Sequence, residues 1–164
     1  MYRKILVPLD GSVLAETVLP HVQMLAENHD TEILLLQVVV DPIYNLFLCG
    51  AKLAAASQSG ASIRHAESRA YLNQVATRLQ PAGLKVSTHI AEGIVTDVIL
   101  NCARDNQVDL IVMTTRGTNT PSGWQLGTVA YRIVHDAQVP VLLVHTKQAP
   151  LDQANLAYTT NFAN

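Results

Sequence analysis

Charged residues are scarce in this sequence. Asp, Glu, Lys and Arg make up 15% of its 164 positions, and the formal net charge is −2. No run of Lys and Arg occurs, so the chain offers no basic field for nucleic acid or for an anionic membrane. Disorder is also excluded, because 49% of the residues are apolar and can bury a normal core. We therefore expect one folded domain that binds neither nucleic acid nor membrane.

Cysteines and long apolar runs are few as well. Cys49 and Cys102 are too few for a disulfide framework and do not form a metal-binding pattern. The longest apolar runs have the length of a strand, far below what a membrane span needs. The N-terminus lacks the apolar stretch and cleavage site of a signal peptide, since Pro8 and Asp10 come too early. These features predict a cytoplasmic protein.

Common catalytic motifs are missing too. The sequence has no Gly-x-x-x-x-Gly-Lys-Ser/Thr loop, no Gly-x-Ser-x-Gly elbow and no His-Glu-x-x-His site. Its six histidines show no ligand spacing, and no lysine lies near the glycine-rich segment to reach a γ-phosphate. We therefore assign no catalytic and no metal-binding residue.

What the sequence does contain is an alternation of apolar, strand-length runs with segments of helical periodicity. It predicts strands at 5–8, 33–40, 85–91, 110–113 and 140–144, and four helices at 14–25, 63–79, 94–104 and 126–134. Such alternation is typical of the α/β class, with parallel βαβ units in a doubly wound, Rossmann-like open sheet. The segment 41–60 gives no clear signal and is long for a connection. Residues 1–146 are predicted to form the domain and 147–164 a polar tail.

Two segments have chemistry suited to a ligand site. In an open parallel sheet, ligands bind beyond the carboxyl ends of the strands, where the strand order reverses. The first segment, 7–12, follows the first strand, and the Asp10 carboxylate there can accept hydrogen bonds from a ribose hydroxyl or an adenine amine. Alternatively, Asp10 and Ser12 simply cap the next helix, since both are preferred cap residues.

The second segment, 113–128, leaves a buried strand and enters the last helix near Gly127 and Thr128. Glycines let backbone amides approach phosphate oxygens closely, and a helix N-terminus adds N–H donors and partial positive charge. Arg116 can pair with a phosphate. On spacing alone, an ordinary loop between a strand and a helix is an equally good interpretation.

Four short motifs carry a resemblance to a known family, and one of them is Gln-Val-Val at 37–39, in the second strand. The chain opens with Lys-Ile-Leu-Val-Pro-Leu-Asp-Gly-Ser at 4–12 and closes its last strand with Val-Pro-Val-Leu-Leu-Val at 139–144. Between them, Gly117 is followed after nine residues by Gly127 and Thr128. Over about residues 2–146 the sequence resembles the universal stress protein family. The resemblance implies a five-stranded sheet in the order 3-2-1-4-5 and homodimers joined through the last strand, Val139–Val144. An uncovered apolar edge strand favours such pairing in its own right.

The resemblance also implies a nucleotide site. In family members that bind ATP, adenine lies near the residues that match Pro8, Asp10 and Val38, and ribose and phosphates lie along the two glycine-containing segments. The predicted site residues are Pro8, Leu9, Asp10, Val38, Met113, Thr114, Arg116, Gly117, Gly127, Thr128 and Val129. Two of them depart from the family pattern: Thr114 replaces the first motif glycine, and Arg116 replaces a histidine. The β-branched side chain at 114 is expected to narrow the ribose pocket.

The predicted function is therefore a dimeric stress-response module that binds ATP, with Mg²⁺ accompanying it and AMP or cyclic AMP as alternative ligands. It is expected to be a regulatory switch with protein partners of unknown identity and at most slow ATP hydrolysis. The alternative is a nucleotide-free dimeric scaffold that acts through protein partners, which Thr114 favours. A third interpretation, an adenylylating or ATP-cleaving enzyme, needs a positioned Lys or His that this loop lacks.

Overall fold

The computed structural model describes residues 2–26, 30–40, 58–80, 83–117 and 126–145. The predictions made for Cys49, for 41–57, for 118–125 and for the tail fall outside these ranges. The described strands are β1 (Lys4–Leu9), β2 (Glu32–Val39), β3 (Lys85–Glu92), β4 (Leu110–Thr114) and β5 (Val141–Val144). The described helices are α1 (Val13–Glu16), α2 (Leu19–Ala26), α3 (Gln58–Leu79), α4 (Val95–Asp105) and α5 (Thr128–Asp136). Every helix within these ranges is too short or too polar to span a bilayer.

The five strands form one parallel sheet in the order β3-β2-β1-β4-β5. This confirms the predicted α/β class and the predicted strand order. The order reverses at β1, which pairs with β2 along its whole length, from Lys4–Glu32 to Leu9–Gln37. With β4 it pairs at Ile5–Leu110 and Leu6–Ile111, near its amino end. Beyond these two residue pairs, toward the carboxyl ends of the strands, a crevice lies between β1 and β4.

Alternate residues of each strand enter two separate apolar layers, one on each face of the sheet. Ile5, Val7 and Leu9 pack in the first layer with residues of α1, α2 and α3. Leu6 and Ile111 pack in the second layer with residues of α4 and α5. Because helices cover both faces, the central strands are apolar at nearly every position, which is what made them recognisable in the sequence.

The first helical region differs from the prediction of one helix over 14–25. It consists of α1 and α2, separated by Thr17 and Val18. Pro20 is the second residue of α2; it has no N–H to donate, and in a continuous helix its ring would clash with the carbonyl of Glu16. The buried stripe nevertheless continues across the break, through Ala15, Val18, Val22 and Ala26. The described ranges thus contain the four predicted helical regions, the first of them interrupted, and α3 begins five residues earlier than expected.

Asp109 fastens the start of β1 to the residue that precedes β4. One of its carboxylate oxygens accepts hydrogen bonds from the backbone N–H groups of Arg3 at 2.8 Å and Lys4 at 2.9 Å. These bonds hold the pKa of the Asp109 carboxyl below its usual value. A lowered folded-state pKa means that the stabilisation is complete above the unfolded pKa of about 3.9 and is lost as pH falls through the folded value.

We expect Asp109→Ala to lower the free energy of unfolding at pH 7 by about 0.5–1 kcal/mol, a small effect because the carboxylate is partly exposed and solvent screens its charge. Urea denaturation at pH 7 and at pH 2.5 measures it, with Asp105→Ala at the exposed end of α4 as the control. The difference between wild type and Asp109→Ala should shrink at pH 2.5. An equal difference at both pH values would show that the carboxylate charge is not responsible.

Candidate functional site

A cavity of about 450 Å³ lies at the carboxyl ends of β1, β2 and β4, in the crevice where the strand order reverses. All eleven residues of the predicted site line it. They are Pro8, Leu9 and Asp10 from the end of β1, Val38 from β2, Met113 and Thr114 from β4, Arg116 and Gly117 from the segment that follows, and Gly127, Thr128 and Val129 from the start of α5. The fold thus brings together two sequence segments about a hundred residues apart. Their role in ligand binding stays a prediction.

Seven further residues line the cavity and were not predicted: Ala15, Leu36, Val40, Val95, Ile99, Thr115 and Ala130. Leu36 and Val40 lie two residues either side of Val38, and the period of two along a strand was a signal for finding them. Val95 and Ile99 lie on one face of α4, four residues apart, but nothing in the sequence indicates that this helix covers the crevice.

One half of the cavity is apolar. Pro8, Leu36 and Val38 line it from the sheet, and Val95 and Ile99 line it from α4. Leu36 and Ile99 are almost completely inaccessible to solvent. A slot with these walls can bury a planar, weakly polar ring, but it has no group that could neutralise a charge.

Asp10 lies at the border between this apolar half and the polar half of the cavity, which Arg116, Gly117 and the start of α5 line. Its Oδ1 accepts hydrogen bonds from the Ser12 backbone N–H at 3.0 Å and from the Ser12 hydroxyl at 2.5 Å. The Ser12 Oγ in turn accepts the Ala15 N–H at 3.0 Å and is the N-cap of α1. The capping interpretation is therefore confirmed for Ser12, which Asp10 orients while it lines the cavity, and a hydrogen bond from Asp10 to a ligand stays a prediction.

The backbone of Thr115 connects the elements that line the polar half of the cavity. Its backbone N–H donates to the carbonyl of Val144 at 3.0 Å, and its carbonyl accepts the Gly127 N–H at 2.8 Å. The end of β4 is thereby tied to the end of β5 and to the start of α5. These two bonds explain why Met113–Gly117 and Gly127–Val129 line the same cavity.

Gly117 lies against the Asp10 carboxylate. A Cβ atom on Gly117 would be 2.9 Å from Asp10 Oδ2, closer than side-chain carbons approach such atoms. With any other residue at position 117, either the Asp10 carboxylate or the segment after β4 would have to shift. This close approach is one physical reason why the family motif has glycine at the position of Gly117.

The start of α5 completes the polar half. Gly127 is the N-cap of this nine-residue helix, and no side chain caps it. The first turn holds no acidic residue. A helix N-terminus carries N–H groups without intrahelical partners and partial positive charge, which favour an anion. With Arg116 also in the lining, this half suits a negatively charged group.

Thr114 is buried, and its Oγ1–H donates to the carbonyl of Arg116 at 2.7 Å. Leu110 and Val112 of the same strand belong to the first apolar layer, and Ile111 and Met113 belong to the second. By this alternation the side chain of Thr114 leaves the strand on the face opposite to that of Met113.

An open parallel sheet with a half-apolar, half-polar crevice at its switch point defines a doubly wound α/β protein with a cavity at that point. The family model of the Universal stress protein family matches residues 1–145. The chain belongs to the universal stress protein family, as its motifs predicted.

Two relatives come from the archaeon Methanocaldococcus jannaschii. The universal stress protein MJ0531 is 30% identical over 145 residues, which are 88% of this chain and 82% of the relative. The universal stress protein MJ0577 is 29% identical over 159 residues, covering 91% of this chain and 98% of the relative. The solved structure of MJ0577 superposes with a TM-score of 0.78 and covers 91% of this chain and 99% of its own.

Three more distant structures share the fold and hold ligands. A universal stress protein in complex with cAMP is 21% identical, with a TM-score of 0.62 over 89% of this chain and 98% of its own. An Arabidopsis thaliana family member with AMP bound is 20% identical, with a TM-score of 0.62 over 93% and 98%. The Archaeoglobus fulgidus protein in complex with dAMP is 19% identical, with a TM-score of 0.61 over 87% and 97%.

Proposed function

We propose that the cavity binds an adenine nucleotide. The observation that carries the proposal is the division of one cavity into an apolar slot and an anion-favouring end, which matches the two chemically different halves of a nucleotide. The volume of about 450 Å³ lies within the usual range for small-molecule pockets. The AMP, dAMP and cAMP held by three proteins of the same fold support adenine as the base.

Each part of the lining has a role in this proposal. The adenine ring enters the apolar slot beside Pro8 and Val38. Asp10 lines the cavity with a carboxylate, which accepts a hydrogen bond from a ribose hydroxyl or from the adenine amine. The phosphates lie between Gly117 and the start of α5, where Arg116 and the helix N-terminus offset their charge.

We propose ATP, accompanied by Mg²⁺, as the ligand, and a regulatory use of it in a cytoplasmic stress response. Both lysines of the described ranges lie away from the cavity. Lys4 and Lys85 begin β1 and β3, at the edge of the sheet opposite the cavity, and pair with Glu32 and Asp30. A lysine that approaches the γ-phosphate is the usual partner in enzymes that cleave ATP.

We also propose that the protein is a homodimer joined through Val139–Val144. In the described part of the chain β5 is an edge strand that pairs with β4, and Leu142 on it is 38% exposed. Two copies that meet at this edge form an isologous interface. Light scattering after size exclusion should give the dimer mass at micromolar concentration, and a monomer mass would contradict the proposal.

Calorimetric titration tests nucleotide binding. Protein that is folded and free of copurified nucleotide is titrated with ATP and Mg²⁺, with AMP and with cyclic AMP, and GTP tests the selectivity for adenine. We expect binding of ATP, and at least a tenfold loss of affinity in Gly127→Val, which places a branched side chain at a buried position of the cavity wall.

The Gly127 backbone has φ −73° and ψ 157°, a conformation that valine also adopts, so a loss of affinity would not come from backbone strain. Thermal unfolding should confirm that the variant folds. If no nucleotide gives heat with the wild-type protein, the nucleotide proposal is wrong, and the scaffold that acts through protein partners becomes the better interpretation.

A further inference from the structure

Thr114 stands where the family motif has glycine, and its side chain makes a specific contact. It is the last residue of β4 and is 7% exposed. Its hydroxyl donates to the Arg116 carbonyl at 2.7 Å. This hydrogen bond is partly buried, so water competes with it less than at the surface, and it favours one direction of the Arg116 carbonyl. Compared with the glycine of the family motif, Thr114 therefore restrains the backbone of the segment after β4 and also occupies more space.

The direction of the Arg116 carbonyl decides the orientation of the next peptide group. The described residues contain no cis peptide bond, and in a planar trans peptide the C=O and N–H groups point in opposite directions. With the Arg116 carbonyl turned toward Thr114, the N–H of Gly117 is turned away from it. The plane of this peptide also sets how Gly117 approaches the Asp10 carboxylate, where there is no room for a Cβ atom.

The backbone of Thr115, which lies between Thr114 and Arg116, is held by hydrogen bonds that do not involve the Thr114 side chain. Thr115 is held through its N–H by Val144 and through its carbonyl by Gly127. The peptide between Arg116 and Gly117 comes next along the chain, and the Thr114 hydroxyl constrains it directly. We propose that Thr114 is a positioning residue of the nucleotide site, whose hydroxyl orients the Arg116–Gly117 peptide before the ligand binds. This inference rests on the proposed nucleotide function and adds to it a residue that sets the affinity for the nucleotide.

The proposal reverses the effect expected if Thr114 acted only through its bulk. If the side chain merely narrowed the ribose pocket, Thr114→Gly would bind nucleotide more tightly. If the hydroxyl orients the peptide, Thr114→Gly binds more weakly, because the bond is lost and the backbone gains freedom that the ligand must then restrict. The sign of one affinity change therefore separates the two roles.

The experiment compares the wild-type protein with Thr114→Ser, Thr114→Val and Thr114→Gly. Serine keeps the hydroxyl, and valine keeps the shape of threonine without it. We expect the ATP affinity of Thr114→Ser to stay within about twofold of wild type and that of Thr114→Val to fall about three- to tenfold, as for one neutral hydrogen bond. Thr114→Gly should bind at least as weakly as the valine variant. Circular dichroism and thermal unfolding establish that each variant folds.

Backbone ¹⁵N relaxation of the ligand-free proteins provides a second measurement that does not depend on nucleotide. The amide of Gly117, which belongs to the Arg116–Gly117 peptide, should be as ordered in Thr114→Ser as in wild type, with an order parameter of about 0.85, and should fall toward 0.6 in Thr114→Val. The amide of Arg116 shares its peptide plane with the Thr115 carbonyl, which Gly127 holds, so it should stay ordered in every variant and serves as the reference. Tighter ATP binding by Thr114→Gly, or unchanged affinity and order in Thr114→Val, would overturn the proposal. If wild-type protein binds no nucleotide, the proposed function fails, and the relaxation data alone decide whether Thr114 orients this peptide.

Discussion

Gly117→Ala should reduce the affinity for ATP about ten- to a hundredfold. The added Cβ would lie 2.9 Å from Asp10 Oδ2, so either the carboxylate or the segment after β4 must move. The carboxylate cannot move freely, because its other oxygen holds both the N–H and the hydroxyl of Ser12. The segment therefore shifts, and a displacement of a few tenths of an ångström separates Gly117 from the start of α5, where we place the phosphates. Calorimetric titration with ATP and Mg²⁺ measures the loss.

Gly83→Ala is the matched control for this substitution. Gly83 precedes β3, lies outside the cavity lining, and has no atom within 4 Å of the position of a Cβ. Its φ of +72° makes alanine strained, at a cost of roughly 1 kcal/mol in stability. The control should therefore lose stability and keep its ATP affinity, whereas Gly117→Ala should lose affinity. If Gly117→Ala bound ATP as tightly as wild type, the phosphates would not lie against this segment.

The largest loss of stability is expected from Ile133→Ala on α5. Ile133 is fully buried in the second apolar layer, together with Leu6 and Ile111 of the central strands. Removing its side chain leaves a cavity in this layer, which costs about 3 kcal/mol for an aliphatic residue. For a domain of this size that corresponds to a thermal midpoint about 6–12 °C lower. Thermal and urea unfolding measure the change.

The next residue provides the comparison. Val134 lies on the same helix, but 49% of it is exposed, and Val134→Ala should change the free energy of unfolding by about 0.5 kcal/mol or less. Ile133 and Val134 lie on the same helix and have the same surroundings along the chain, so the two variants differ mainly in the burial of the side chain that is removed. A similar loss in both variants would mean that α5 is not packed on the sheet through Ile133, and the placement of its N-terminus at the cavity would then lose its support.

The agreement between sequence and structure is closest where the signal is local. The strands of a parallel sheet are buried on both faces, so β1, β2 and β4 are short, continuous apolar runs that can be located without a structure. The two turn segments at the carboxyl ends of β1 and β4 were recognisable from Asp10, Gly117 and Gly127. A sheet of this class places such segments at one edge, which is why all eleven predicted residues line one cavity.

Pro20 was also a local signal, and it should have divided the first predicted helix. The apolar period continues through Val18 and Val22 across the break, and this continuity concealed the interruption. The case shows that an apolar period reports which residues are buried and does not establish that the backbone between them is continuous helix.

The sequence by itself determined the fold class, the strand positions and the chemical types gathered at the switch point, because burial and turn formation act over a few neighbouring residues. The tertiary structure alone decided three other features. Ile99 of α4 closes the apolar slot over Val38, Asp109 fastens the start of β1 across more than a hundred residues, and Gly117 lies against the Asp10 carboxylate. Each of these depends on the distance between groups far apart in the chain, and only the packing of helices on the sheet sets that distance.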